Sequence, residues 1–182
     1  MIFIFYPGLT SLIVKKINYG FFMKGISKAQ LTAFSTSSSV ATLPVTLNCV
    51  ENKIGVSKRT TSFVLPIGAT VNMDGTSLYQ AVAVVALAQF HMVDLSLLQQ
   101  LTIVFTATLA SIGAAAVPSA GLVLMIIVLE SVGLNPAWIA LIFPVDRILD
   151  MCRTVVNVTG DASVSTIVAH SEGELNIPET VV

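Results

Sequence analysis

Between Thr60 and Pro144 the chain carries three charged residues, Asp74, Asp94 and Glu130. Apolar runs there are punctuated by Gly, Pro and Ser instead of charge. A soluble domain covers itself with about 25% charged residues, whereas this chain has 10%, against 54% hydrophobic ones, and a mean hydropathy of +0.87. That balance argues against a soluble globular domain, a disordered chain and a collagen. A net charge of −1 provides no basic field for phosphate backbones, so no nucleic-acid partner is expected. Cys49 and Cys152 lie far apart in apolar surroundings and form neither a disulfide framework nor a metal knuckle. The expectation is a membrane protein of 182 residues.

The basic residues divide the chain. Seven of nine lie before position 60: Lys15, Lys16, Lys24, Lys28, Lys53, Lys58 and Arg59. Met1–Val14 is apolar but has no basic stretch before it and no small-residue cleavage site after it. It therefore reads as the end of a membrane helix rather than a signal peptide. The two basic clusters flank 29–50, and cytoplasmic loops are the ones enriched in Lys and Arg. With both flanks cytoplasmic, this segment dips in and returns. AFSTSSSVATLPVT has too many hydroxyls for a lipid-facing span. About 20 residues of helix give two legs of about 15 Å, enough to reach the bilayer midplane. The reading is a re-entrant hairpin with the serines at its tip, and the alternative is a Ser-rich cytoplasmic loop. At the other end, 171–182 is a polar tail with Glu172, Glu174 and Glu179, expected to be loosely ordered.

Two further segments are interrupted. In 60–90, Asn72-Met73-Asp74-Gly75-Thr76 sits at the centre of a stretch long enough to span. Asn, Asp and Gly are poor helix formers, and a mid-membrane aspartate costs several kcal/mol unless paired or ion-bound. Unwound carbonyls beside one carboxylate suit Na⁺; the alternative is a surface turn. In 95–132, SIGAAAVPSAG (Ser111–Gly121) separates two apolar helices, which reads as a second hairpin or a kinked span. Gly/Pro interruptions in hydrophobic segments point to a transporter's substrate site.

The last helix, 136–170, carries a polar stripe. On a helical projection Asp146, Asp150, Arg153, Thr154, Asn157 and Asp161 fall within an arc of about 100°. In so apolar a chain, such a stripe must face protein or an aqueous cavity, and intramembrane ionisable groups mark function. An arginine between aspartates suits a zwitterion with an extra carboxylate: the guanidinium grips the carboxylate and an aspartate takes the ammonium. An intramembrane enzyme, with the serine run as nucleophile and Asp74 or Asp150 as base, is the rival. Neither His91 nor His170 lies in a triad or metal motif, so the chain reads as no enzyme.

SSSVATLPVT, NMDGTSLYQ, SIGAAAVPSAG and DMCRTVVNVTGDA, in that order and spacing, resemble the glutamate/aspartate:sodium symporters of the dicarboxylate/amino acid:cation symporter family. The resemblance covers about Phe5 to His170 and corresponds to the C-terminal half of the family's fold. It implies an all-α membrane protein with broken transmembrane helices and two re-entrant hairpins, beginning near the end of the family's sixth helix. The five preceding helices, with most of the trimerising scaffold, would lie outside this chain. The implied organisation is 1–170 as the C-terminal part of the symporter domain. Within it, 1–17 ends a membrane helix, 29–50 is the first hairpin, 60–90 the broken helix, 95–132 the second hairpin and 136–170 the last helix.

Roles carry over by resemblance. Ser38 and Ser39 would meet the substrate's α-carboxylate, and Thr76 and Arg153 its side-chain carboxylate. Asp150 would take the ammonium, Thr154 and Asn157 would complete the pocket, and Val117 and Gly121 would sit in the gating second hairpin. For Na⁺, Gly68, Asn72, Asn157 and Asp161 would form one site, and Thr70 with Ser111, Ile112 and Ala114 another. Asn72 and Asp74 would contribute to a third. The implied activity is Na⁺-coupled symport of glutamate or aspartate by an elevator motion. The implied setting is a multi-pass protein of the cell (inner) membrane, homotrimeric when the scaffold is present. Alternatives are a binding-competent fragment inactive in transport, or a symporter for C4-dicarboxylates.

Three positions depart from the family pattern. Archaeal-type relatives have an arginine where this chain has Ser37, and animal-type relatives where it has Met151, so the usual partner of Asp150 is missing. Arg147, one turn earlier, is expected to reach towards Asp150 instead. Proton-coupled relatives carry a glutamate where this chain has Gln80, and glutamine cannot titrate.

Overall fold

A computed structural model describes residues 1–114 and 117–177. Residues 115 and 116 of the SIGAAAVPSAG interruption, and 178–182 of the polar tail, lie outside the described residues. The described chain is all-α. In order come α1 (Phe5–Ile13), α2 (Tyr19–Thr36), α3 (Ser39–Cys49), a π-helical turn (Val50–Ile54), α4 (Lys58–Val71), α5 (Asp74–Phe90), α6 (Leu97–Ile112) and α7 (Ala120–Ser131). A 3₁₀ turn (Pro136–Leu141) then leads into α8 (Phe143–Ser171). Among the described residues the only β-pairing is an isolated antiparallel bridge, Val56 to Leu175.

Side-chain caps set several boundaries. Asn18 accepts the Phe21 N–H at the start of α2, Ser38 the Ala41 N–H at α3, and Ser57 the Thr60 N–H at α4. Ser96 and Gln99 make a capping box on α6, satisfying two orphan donors reciprocally. The Ser-rich segment forms two helical legs meeting at Ser37–Ser38, with Ser37 in the left-handed region at φ 53°. The first leg begins at Tyr19, ahead of the expected start at Ala29, because Asn18 supplies the cap. The NMDG segment breaks the next helix at Asn72–Met73, between α4 and α5.

α8 is the mast around which the rest is arranged, packing on α1, α2, α4 and α5. Its buried face is polar: Asp146, Asp150, Arg153, Thr154, Asn157, Thr159, Asp161, Ser163, Ser165 and Thr166. Apolar packing lies to either side. Val84, Leu87, Ile103, Met125 and Leu129 knit α5, α6 and α7. Ile17, Phe22, Ile26, Ile54, Leu65 and Ala169 join α2, the π-turn, α4 and the end of α8. Many large apolar side chains point outward, among them Phe63, Phe90, Leu98, Phe105 and Phe143. Among the described residues no helix is both long and apolar enough to cross a membrane; α8 has the length but carries the charged stripe.

The described part of the tail is docked, contrary to the expectation of a loose segment. Glu174 accepts hydrogen bonds from Ser57 Oγ (2.5 Å) and Thr60 Oγ1 (2.6 Å), and pairs with Arg59 (3.3 Å). The Asn176 N–H donates to the Gly55 carbonyl at 2.7 Å. Those two hydroxyls, with the Arg59 guanidinium beyond them, hold the Glu174 carboxyl below its usual range. A carboxylate at the N-terminus of α4 also complements that helix's dipole.

Candidate functional site

Two adjoining pockets lie where the interrupted elements meet α8. The smaller, about 20 Å³, has room for about one water. It is lined by Ser37, Ser39, Met73, Thr76, Ala114, Val117, Gly121, Asp150, Arg153, Thr154 and Asn157. Eight of the nine residues expected to hold substrate are in that lining. The ninth, Ser38, is buried beside it as the cap of α3.

Arg153 dominates this cavity. Its side chain is 4% exposed; Nε donates to Asp150 Oδ1 at 2.7 Å, and Nη1 lies 3.5 Å from Asp146 Oδ1. The guanidinium sits over the Tyr79 ring at 4.6 Å, and the Tyr79 hydroxyl donates to Asp146 at 2.8 Å. Nη1 itself makes no hydrogen bond. A buried guanidinium with an unused donor is costly unless an acceptor arrives. Gly121 lets the second hairpin close on it: a Cβ there would lie 2.8 Å from Thr76 Cγ2 and 2.9 Å from Arg153 Nη1. The Gly121 carbonyl accepts from Gln80 Nε2 at 2.8 Å. Asn157 accepts the Gly75 N–H at 2.7 Å and donates to Met73 Sδ at 3.3 Å, splinting the broken helix.

The partner of Asp150 is corrected. Arg147 is exposed and makes no ion pair among the described residues. Asp150 is met by Arg153 and by the Ser119 N–H, at 2.8 Å. Arg147 falls about 60° round the helix from Asp150, just beyond the Thr154 edge of the stripe, where the side chain is exposed.

The larger pocket, about 430 Å³, is lined by Gly68, Asn72, Met73, Asp74, Ser77, Thr108, Ser111, Ile112 and Asp161, with apolar residues of α4 and α8. Six of the nine expected Na⁺ residues, Gly68, Asn72, Asp74, Ser111, Ile112 and Asp161, are gathered there. Asn157 and Ala114 border the smaller cavity. Thr70 borders neither: it is exposed, and its hydroxyl donates back to the Pro66 and Ile67 carbonyls. Asn72 Nδ2 donates to Asp161 Oδ1 at 2.9 Å. Carboxylates, amide oxygens and nearby carbonyls make a hard-oxygen donor set, the kind that suits a small alkali cation; among the described residues there is no His/Cys/Asp/Glu cluster for a transition metal.

Asp146 of the stripe, and Gln80 and Ser37 among the departures from the family pattern, also border or brace the site, and Tyr6 and Tyr79 join it unannounced. Tyr6 and Tyr79 carry no local signal, because their partners lie across the fold.

The chain belongs to the sodium:dicarboxylate symporter family, whose model matches residues 1–171. It is 54% identical over 158 residues to an excitatory amino acid transporter of Caenorhabditis elegans. It is 51% identical over 174 residues to excitatory amino acid transporter 2 of Mus musculus, and 57% over 156 residues to excitatory amino acid transporter 3 of Oryctolagus cuniculus. These alignments cover 87%, 95% and 86% of this chain. The chain spans 30–31% of the length of those relatives.

Proposed function

We propose that this chain binds an acidic amino acid together with Na⁺ and forms the moving part of a Na⁺-coupled symporter. The observation that carries this is Arg153, buried in a cavity with an unused donor and flanked by Asp150. In the bound state the guanidinium takes the side-chain carboxylate with Thr76. Asp150 releases part of its hold on Arg153 and Ser119 to accept the ammonium, while Thr154 and Asn157 fix the substrate's orientation. Ser38 and Ser39 receive the α-carboxylate at the N-terminus of α3, where backbone N–H groups and the helix dipole favour an anion.

Charge arithmetic supports cation coupling. The two pockets and the Asp146–Arg153 pair contain four carboxylates, Asp74, Asp146, Asp150 and Asp161, against one guanidinium. Adding an anionic substrate to that excess in low dielectric is unfavourable unless a cation enters as well. Substrate and Na⁺ then raise each other's affinity by the same factor. Gly68, Asn72, Asp74, Ser111, Ile112 and Asp161 hold the cation, with Asn157 and Ala114 of the adjoining cavity beside it.

The setting proposed is the cell (inner) membrane. Outward apolar residues and an inward polar mast reverse the soluble pattern, and so wide an apolar surface favours contact with lipid. α2–α3 and α6–α7 are the two re-entrant hairpins, 29–50 and 95–132. α4–α5 is the broken helix (60–90), and 1–170 is one transport unit sliding in elevator fashion against scaffold helices of a homotrimer. Val117 and Gly121 belong to the gate. Gln80 in place of a titratable residue supports Na⁺ without proton coupling at that position. The relatives' names, excitatory amino acid transporters, agree with this substrate class.

The test is equilibrium titration of the purified chain with L-aspartate, with and without Na⁺, and with succinate in competition. Heat of binding with aspartate only when Na⁺ is present supports the reading. Tighter binding of succinate, which has no ammonium for Asp150, would move it to a dicarboxylate carrier.

A further inference from the structure

We propose that Tyr6, on α1, is a ligand of the cation held at the Asn72–Asp74 break, supplying a neutral phenol oxygen to that site. The inference rests on the Na⁺-binding reading above. Tyr6 is almost wholly buried, and its hydroxyl donates to the Asp74 carboxylate. A phenol oxygen that donates its one proton keeps its lone pairs, so the same atom can face a cation shared with Asp74.

The surroundings are shaped for that meeting. Gly160 of α8 leaves open the space where α1 and the broken helix converge. A Cβ there would lie 3.0 Å from the Tyr6 hydroxyl and 2.8 Å from Asn72 Nδ2. Asn72 meets Asp161 through its amide nitrogen, which leaves its amide oxygen as a further donor. Tyr6, Asn72, Asp74 and Asp161 thus bring hard oxygens from α1, the break, α5 and α8 to one place. The phenol is positioned in advance. Thr10, one turn along α1, bonds Ser163 of α8 at 2.6 Å and the Tyr6 carbonyl at 2.8 Å. Such anchoring lowers the ordering cost of adding Tyr6 to a coordination shell.

A tyrosine that only satisfied Asp74 would affect folding and leave ion discrimination unchanged. A ligand would affect discrimination, because losing one oxygen enlarges the site and alters its preference among small cations. The experiment is calorimetric titration of the full chain with NaCl and with LiCl, without substrate, comparing the parent, Tyr6→Phe and Gly160→Ala. Helical content is checked by circular dichroism. Tyr6→Phe keeps the ring and removes the oxygen, and Gly160→Ala displaces the ring. Each is expected to weaken Na⁺ binding about tenfold and to change the Na⁺/Li⁺ affinity ratio.

Parent-like Na⁺ affinity and ratio in Tyr6→Phe overturn the ligand role while the parent's own Na⁺ binding keeps the broader reading. Because Gly160→Ala also crowds Asn72, a Tyr6→Phe that does not fold is replaced by Tyr6→Met, which keeps apolar bulk without the oxygen and decides by the same criterion. A parent that shows no Na⁺ binding overturns both.

Discussion

The tips of the two helical hairpins border the same small cavity but are held in opposite ways. The tip at Ser37–Ser38 is braced within its own hairpin: Ser38 caps α3, and Thr36 and Thr42 join hydroxyls at 3.0 Å. Its legs are fixed to α8 by Gln30 on Thr159 (3.0 Å) and by Ala29 and Ala33 against Val155 and Val158. At the other tip, Ser119 takes left-handed backbone at φ 62° and gives α7 no side-chain cap. That tip reaches the rest of the site through the Ser119 N–H on Asp150 and the Gly121 carbonyl on Gln80. Asp150 is a group that an incoming substrate would claim. In the proposed reading the first tip is the fixed wall and the second the gate, because the Ser119 N–H on Asp150 is a bond that a ligand can exchange. A ligand shifts a conformational equilibrium only by making different contacts in its two states, and the second tip supplies that difference.

The largest expected effect comes from Arg153→Ala. It leaves Asp146 and Asp150 buried without their cation, a change that costs about 3–5 kcal/mol, and removes the proposed anion grip. Thermal unfolding should show the destabilisation, and acidic amino acid binding should fall by about a hundredfold or more. Arg153→Cys should also admit neutral substrates. Unchanged acidic uptake in either variant contradicts the assignment of Arg153.

Next is Gly121→Ala. The added methyl collides with Thr76 and Arg153, so the second hairpin cannot close. Substrate affinity should drop by roughly tenfold or more, an overpacking cost of about 1–3 kcal/mol. Hydrogen exchange should quicken in α7 but not in α3. Equal quickening in both would erase the distinction between wall and gate.

Ser38→Ala is expected to remove a helix cap worth about 1 kcal/mol. This appears as faster exchange at the start of α3 and, with Ser38 receiving the α-carboxylate, as weaker aspartate binding.

Much of this difference was legible in the sequence, and some was not. The serine run, the NMDGT break and the stripe on α8 are local patterns. Poor helix formers and a 3.6-residue period dictate where chains bend and which side chains share a face; the residues expected to hold substrate came instead from the family resemblance, and eight of those nine line one cavity. Arg147 was misplaced because it sits just past the edge of the stripe, and which side of that edge is covered depends on neighbouring helices rather than on the period of α8. Tyr6 and Tyr79 were missed because their partners, Asp74 and Asp146, lie on other helices. The Glu174 clamp was missed for the same reason, since a polar tail looks loose until the N-terminus of α4 is beside it.

That clamp gives the smallest effect. Its partners lower the folded-state pKa of Glu174, so its stabilisation is fully present above the unfolded value of roughly 4.3. It is lost as pH falls through the lowered folded value. Acidification should therefore expose the tail to proteolysis ahead of the helices, and Glu174→Gln should show that exposure already at neutral pH. A protease pattern independent of both would remove the clamp.

The central claim, that an anion site and a cation site act as one, is tested most directly by measuring the coupling in both directions on the same preparation. Aspartate affinity is determined at low and saturating Na⁺, and Na⁺ affinity without and with saturating aspartate. The account predicts the same factor of enhancement both ways, about tenfold or more, reduced to near one in Arg153→Ala. Aspartate binding that is indifferent to Na⁺ in the parent chain would contradict it.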